Sequence, residues 1–232
     1  MIKTSPLSNS HELGIHGNCK NKDQAKLLAI REITNIKIYQ LSKFKKSNFD
    51  INNFSLDSYK LPTEAGLSTG NENLRIQWQA PNVWMILSHN KNIIQEIERQ
   101  CEDDDFAITD LSHSRAILEV KGKDALNIIK KGSPLNLNNF RKNNCANSVY
   151  HGITVSIDMV NDDPITFNIM ALRSFAGSFH HAITDASLEF MVTATKQEAS
   201  LQDVPVAVSA LTEESLNQRG VSNFSDYLIE LP

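Results

Sequence analysis

The sequence predicts an α+β domain over about Leu61 to Phe190, with helices packed against a mixed, mainly antiparallel sheet. Three observations carry this. Strand-like alternation recurs at Leu74, Ile76 and Trp78, at Ala116, Leu118 and Val120, at Ile153, Val155, Ile157 and Met159, and at Ile165, Phe167, Ile169 and Ala171. Helical spacing interrupts it at Ile93, Ile94 and Ile97, at Ala125, Ile128 and Ile129, and from Phe175 to Phe190. Turn-forming residues then join neighbouring strands, Pro81-Asn82 after the Leu74 strand and Asn161 to Pro164 between the last two, as hairpins do.

Taken in order, residues 1 to about 24 are rich in Ser, Asn, His and Gly and read as an arm outside the core. Apolar content begins at Ala25, and Ile36-Lys37-Ile38 reads as a strand that Lys43 to Lys46 closes in solvent. Asn48 to Tyr59 reads as a loop pinned by Phe49 and Phe54, and Leu61 to Gly70 as another loop. Pro81-Asn82 turns the chain from the Leu74 strand into a Val83–Leu87 strand. A helix over about Asn90 to Cys101 follows, ended by the solvated acids Glu102 to Asp105.

After the Ala116 strand comes a short helix, with Asp124 at its start and Lys130 and Lys131 at its end, opposing the helix dipole. Gly132 and Pro134 supply its stop. Asn161 to Pro164 joins the next two strands as a hairpin, and Ser174 is the expected N-cap of the last helix, whose buried face runs Phe175, Phe179, Ala182, Ile183, Ala186 and Phe190. Beyond it, Thr193 to Asp203 reads as a linker, Val204 to Val208 as an edge strand, and Thr212 to Gly220 as a short helix. The expected division is therefore 1–60, arm and first strand region; 61–191, the α+β domain; 192–232, a tail.

With a net charge of −4 over 232 residues, the chain offers no electrostatic reason to expect nucleic acid. No apolar run approaches a membrane span, and the start of the chain has no apolar block after Lys3, which argues against a secretory signal. Three dispersed cysteines, Cys19, Cys101 and Cys145, read as inert thiols in a reducing cytoplasm.

The sequence lacks the glycine-rich dinucleotide and phosphate loops, the Gly-x-Ser-x-Gly elbow and the His-Glu-x-x-His helix, so no catalytic, cofactor-binding or metal-ligating set is expected. His180 and His181 are adjacent on a helix and point about 100° apart, which suits no shared metal. His113 reads as part of a turn with Ser112 and Ser114. Arg173 is the more informative residue: its charge precedes a helix start and opposes the dipole, so a carboxylate partner is expected, in this chain or in another subunit. Arg115, inside a strand, raises the same question. Trp78 and Trp84 are expected to meet across their hairpin as core, with exposure at an interface as the alternative.

Four motifs, in order, resemble the gamma subunit of heterotetrameric sarcosine oxidase: Trp78-x-x-Pro81-x-x-Trp84, Asp110-Leu-Ser-His-Ser-Arg115, Lys131-Gly-Ser-Pro-Leu-Asn-Leu137 and Arg173-Ser-Phe-Ala176. Ser133 departs from the family, which usually has Cys there. The resemblance implies the folate-binding fold of the glycine-cleavage T-protein and a non-catalytic, structural subunit of a cytoplasmic complex that demethylates sarcosine to glycine. It further implies alpha, beta and delta subunits as partners, with FAD, FMN, NAD and tetrahydrofolate on them and none on this chain. Arg173, Ser174, Arg115 and Trp84 are then the candidates for the partner interface. The rival is a free-standing tetrahydrofolate-binding module, for which Asp110 and Asp158 are the available pterin acids. The tRNA-modifying relatives are set aside because their Lys-Gly-Cys-Tyr-x-Gly-Gln signature is missing.

Overall fold

Side-chain alternation sorts the strands into two sheets, because most of them carry apolar residues toward one layer and a second set toward another. A computed structural model of the chain describes residues 5–7, 14–16 and 28–198, and the chain divides into two units, Met1–Thr193 and Ala194–Pro232. In the first unit, six strands form one sheet in the order β1 (Gly14–His16), β2 (Leu28–Glu32), β10 (Arg115–Lys121), β13 (Ile165–Leu172), β12 (Ile153–Asp162) and β11 (Cys145–Tyr150). Five form the other, in the order β6 (Ser68–Gly70), β7 (Leu74–Ala80), β8 (Val83–Ser88), β3 (Lys37–Lys43) and β9 (Phe106–Asp110). A small hairpin of β4 (Ser55–Leu56) and β5 (Tyr59–Lys60) stands apart from both. Every pairing among these strands is antiparallel.

Three apolar clusters fix the layers. Ala116, Leu118, Val120, Val155, Ile157, Phe167 and Ile169 of the six-stranded sheet pack on α2 (Ala125–Gly132) and α3 (Ala176–Glu198) through Ile128, Ile129, Phe179 and Ile183. Leu41, Leu74, Ile76, Trp84 and Ile86 of the five-stranded sheet pack on α1 (Ile93–Glu98) and on Phe54, Leu56 and Leu61. Between the sheets lie Ile38, Met85 and Leu87 from one side and Ile117 and Met170 from the other. The architecture is thus helix, sheet, sheet, helix, with each strand's two faces serving two different cores.

The α+β class is as expected, but the single sheet becomes two. The strand expected at Ile36–Ile38 is present as β3, paired with β8 and β9, and β2 pairs with β10; within the expected arm of residues 1 to about 24, β1 extends the first sheet and Leu7 is fully buried. β6 forms within the stretch Leu61 to Gly70, read as a loop, and β11 where the sequence reading assigned no element. Pro81 begins the β7–β8 turn, where Asn82 takes the left-handed φ of 62°. Gly70 turns β6 into β7 at φ 127°, with Leu74 O so close that a Cβ would lie 2.0 Å away. Ser174 is not an N-cap: it sits inside a 3₁₀ turn, Arg173–Phe175, that leads into α3, and this turn leaves Phe175 exposed rather than on the buried face. α3 runs through the expected linker start to Glu198. The Phe190 side chain and the elements expected in 204–231 lie outside the described residues.

Candidate functional site

The inter-sheet layer is half apolar and half polar. β7 turns Leu74 and Ile76 outward to α1, and so turns Arg75 and Gln77 inward to the other sheet. β12 likewise turns Val155 and Ile157 to the helices, and Ser156 and Asp158 inward. Arg75 is 3% exposed and Asp158 fully buried, and they meet as a bidentate pair: Arg75 Nε to Asp158 Oδ2 at 2.9 Å and Arg75 Nη2 to Oδ1 at 2.7 Å.

Every donor and acceptor of the pair is used. Arg75 Nη2 also donates to Ser68 Oγ at 2.6 Å, and Nη1 donates to Asn143 Oδ1 at 2.9 Å and to Gly70 O at 3.4 Å. Asp158 accepts two further bonds, from Ser68 Oγ at 2.7 Å and Gln77 Nε2 at 3.1 Å. Five guanidinium N–H groups and four carboxylate lone pairs are a full complement, which is the condition under which a buried ion pair is tolerated. Backbone bonds clamp the same corner: Ser68 N to Asn143 O and Cys145 N to Gly66 O, both 2.8 Å.

The expected interface residues separate. Trp84 is 2% exposed and donates its Nε1 to Pro62 O at 2.7 Å; it stands directly opposite Trp78, as core, and its ring is not available at the surface of the chain. Arg115, Arg173 and His113, by contrast, come together along one open cleft of about 710 Å³. Arg173 starts the turn before α3 and its N–H bonds Ser114 O at 2.9 Å, while Ser174 is exposed beside it. The Asp110–Arg115 motif is the crossover from β9 in one sheet to β10 in the other. Ser112 Oγ accepts from Ile38 N, and Ser114 N and Oγ both donate to Leu111 O, so the serines hold the turn and His113 projects into solvent.

The two acids weighed for a pterin do not fit one. Asp158 is saturated by the chain's own groups, and Asp110 is exposed at the end of β9, where its Oδ1 accepts Ser112 N at 2.8 Å. Partial burial pushes the Asp110 pKa up, but the Ser112 hydrogen bonds, Lys37 and His113 outweigh it and hold it below the usual value of 3.8. Among the described residues no three His, Cys, Asp or Glu side chains converge on a metal position; His180 is buried on α3 while exposed His181 meets Asp185 at 3.3 Å. Burial raises the thiols of Cys101 and Cys145 to about 12, far from a reactive thiolate. In the motif where Ser133 stands, its hydroxyl lies 2.9 Å from that of Ser148 on β11.

Arg75 and Gln77 escaped the sequence reading, which named only the apolar face of their strand, Leu74, Ile76 and Trp78. The available signal was a shortage of charge: the inward faces of β7 and β12 carry one cation and one anion between them. A solvated face of that size would carry more.

Two stacked antiparallel sheets enclosed by helices define the class, a T-protein-like α+β fold. The chain is similar in structure to glycine cleavage system aminomethyltransferase T from Bartonella henselae, with a TM-score of 0.55 and 14% identity over 79% of this chain and 57% of that one. It is similar over 82% of its length to a chain of the heterotetrameric sarcosine oxidase from Corynebacterium sp. U-96 in complex with pyrrole 2-carboxylate, with a TM-score of 0.69, 17% identity and 97% of that chain covered. No curated protein matches it by sequence. The family description for the sarcosine oxidase gamma subunit matches residues 50–189, more than half of the chain, and the chain belongs to that family.

Proposed function

We propose that this chain is the non-catalytic, assembly-holding gamma subunit of a heterotetrameric sarcosine oxidase that demethylates sarcosine to glycine in the cytoplasm. Its partners are the alpha, beta and delta subunits, which carry FAD, FMN, NAD and tetrahydrofolate, and it engages neither nucleic acid nor membrane. Family membership supports the reading, and among the described residues no helix is long and apolar enough to cross a bilayer. The observation that carries it is the saturation of Asp158. Asp158, the one fully buried acid among the described residues, spends all its acceptor capacity on Arg75, Ser68 and Gln77, so it serves the scaffold and not a ligand. The same observation disfavours a free-standing tetrahydrofolate-binding module.

Coexpression with the alpha, beta and delta subunits tests this. The chain is expected to co-elute with them in gel filtration, and sarcosine-dependent peroxide formation is expected only when they are present. Failure to co-elute, flavin retained by the isolated chain, or peroxide formed by it alone would overturn the assignment. Micromolar tetrahydrofolate binding lost in Asp158→Asn would instead establish the folate module.

A further inference from the structure

Among the described residues the two sheets end on the edge strands β1, β11, β6 and β9. Three of these are blunted, as exposed edges usually are. β1 and β6 are three residues long, and β9 carries Asp110 and follows the acids Asp103 to Asp105. β11 is different. It runs six residues, Cys-Ala-Asn-Ser-Val-Tyr, in unbroken register with β12, and it has neither charge nor proline.

The pairing with β12 settles which backbone groups of β11 face outward. Met159 N donates to Asn144 O, and Met159 O accepts Asn143 N, so Met159 bonds toward β11. At steps of two along β12, Ile157, Val155 and Ile153 do the same, facing Ala146, Ser148 and Tyr150. Cys145, Asn147, Val149 and His151 therefore turn their backbone groups away from the sheet. Cys145 N donates to Gly66 O and His151 N to Gly132 O, both at 2.8 Å. Between these two clamps, the N–H and C=O groups of Asn147 and Val149 have no hydrogen-bond partner among the described residues.

β11 also borders an apolar row that the five-stranded sheet leaves uncovered. Register sets Val149 opposite Thr154, and Thr154 beside Leu172, on the inward face. Val149 is 39% and Leu172 41% exposed, with exposed Thr154 between them. The next inward row, Ser156, Met170 and Ile117, is buried.

We propose that β11 is the attachment edge for an extended, uncharged segment of a partner subunit, which adds to the sheet as a seventh strand and sets an apolar side chain beside Val149. The proposal rests on the reading of the chain as a gamma subunit. An open row of strand-oriented donors and acceptors is matched by the backbone of another strand, and an uncharged edge beside an apolar row by uncharged side chains. A second copy of this chain matches it poorly. Two-fold pairing confined to the open stretch centres on Ser148 and sets the Asn147 amide against Val149 in both halves. Centring on Asn147 or on Val149 runs the copy onto Cys145 N or His151 N, which are already bonded.

The test is a titration of the full chain, fluorescently labelled, against a purified alpha–beta–delta assembly, with amide hydrogen exchange followed in the free and bound states. Val149→Pro deletes an outward N–H and no bond to β12, a substitution that edge strands accept. The free variant should therefore melt within about 3 °C of wild type. Its binding should weaken about 10-fold or more, because a partner carbonyl loses its donor and the ring blocks the approach. Val149→Lys, which leaves the backbone intact, should weaken binding as well. In the wild-type complex the amides of Asn147 and Val149 should become protected, having exchanged fast in the free chain. A complex that forms with both amides still exchanging freely, or wild-type affinity in Val149→Pro, overturns the proposal and leaves the subunit reading intact. Failure of the wild-type chain to bind overturns both. Self-association of the free chain in sedimentation, abolished by Val149→Pro, would assign the edge to a second copy and overturn the proposal. If Val149→Pro does not fold, Val149→Lys and the exchange of the wild-type complex decide alone.

Discussion

Arg75→Met removes the cation from a carboxylate that has no exposure to water and leaves the shape of the strand nearly unchanged. Asp158 then keeps only Ser68 and Gln77 as donors, and Asn143 Oδ1 loses its partner. Breaking a buried pair from one side costs about 3–5 kcal/mol. For a chain of this size that corresponds to a fall of roughly 6–20 °C in melting temperature. In urea, a slope of about 2–3 kcal/mol/M moves the midpoint down by roughly 1–2.5 M. The informative measurement is the second substitution. Asp158→Asn on the Arg75→Met background removes the stranded charge while keeping oxygen and amide groups near Ser68 and Gln77, so it should recover about 1–3 kcal/mol of the loss. Asp158→Asn alone should destabilise, because it gives up the charge-assisted bonds. A cost below about 1 kcal/mol for Arg75→Met, or a double variant less stable than the single, would refute the argument that this pair ties the sheets together.

Gly132→Ala places a Cβ 2.5 Å from the buried Tyr150 ring, so it should cost about 1–3 kcal/mol despite alanine's better helix propensity, and a raised melting temperature would contradict this. Cys101 and Cys145 should stay unlabelled by iodoacetamide at about pH 8 in the native chain and react once it is unfolded, as peptide mass mapping would report. Asp110, whose pKa is lowered on folding, contributes stability that is present above its ordinary value of 3.8 and lost as pH falls through the lower folded value. Asp110 is exposed, so the effect is below about 1 kcal/mol. Asp110→Asn and wild type should therefore differ slightly in melting temperature near neutrality and converge below about pH 3, and a gap that widens with acid would reverse the sign.

Local chemistry made many elements legible and left their partners unread. The β7–β8 and β12–β13 hairpins follow from alternation closed by turn residues, and α2 from a stripe of Ala125, Ile128 and Ile129 with lysines at its end. β6 and β11 were missed because neither has enough apolar residues to declare itself. β11 is an edge strand, and Cys145, Asn147 and Val149 do not form one apolar face. Gly132 was assigned to stopping α2, but the proximity of Tyr150 gives it a second reason, one that requires the β11 strand to be in place.

Reading only the apolar face of each strand hid the pairing of Asp158 with Arg75. Alternation reports that two faces differ, and it does not report what the polar one touches. Where a second sheet covers that face, its polar residues must find one another, and their number becomes constrained: each donor needs an acceptor inside the fold. β7 and β12 meet this constraint with one Arg and one Asp, separated by eighty-three positions in sequence. Arg115 shows the same logic from the other side. It lies on a β10 face whose neighbour Ile117 is covered, yet it lacks the acid that Arg75 has. Arg115 is only half-buried, so water can satisfy donors that a fully enclosed guanidinium must give to acceptors inside the fold.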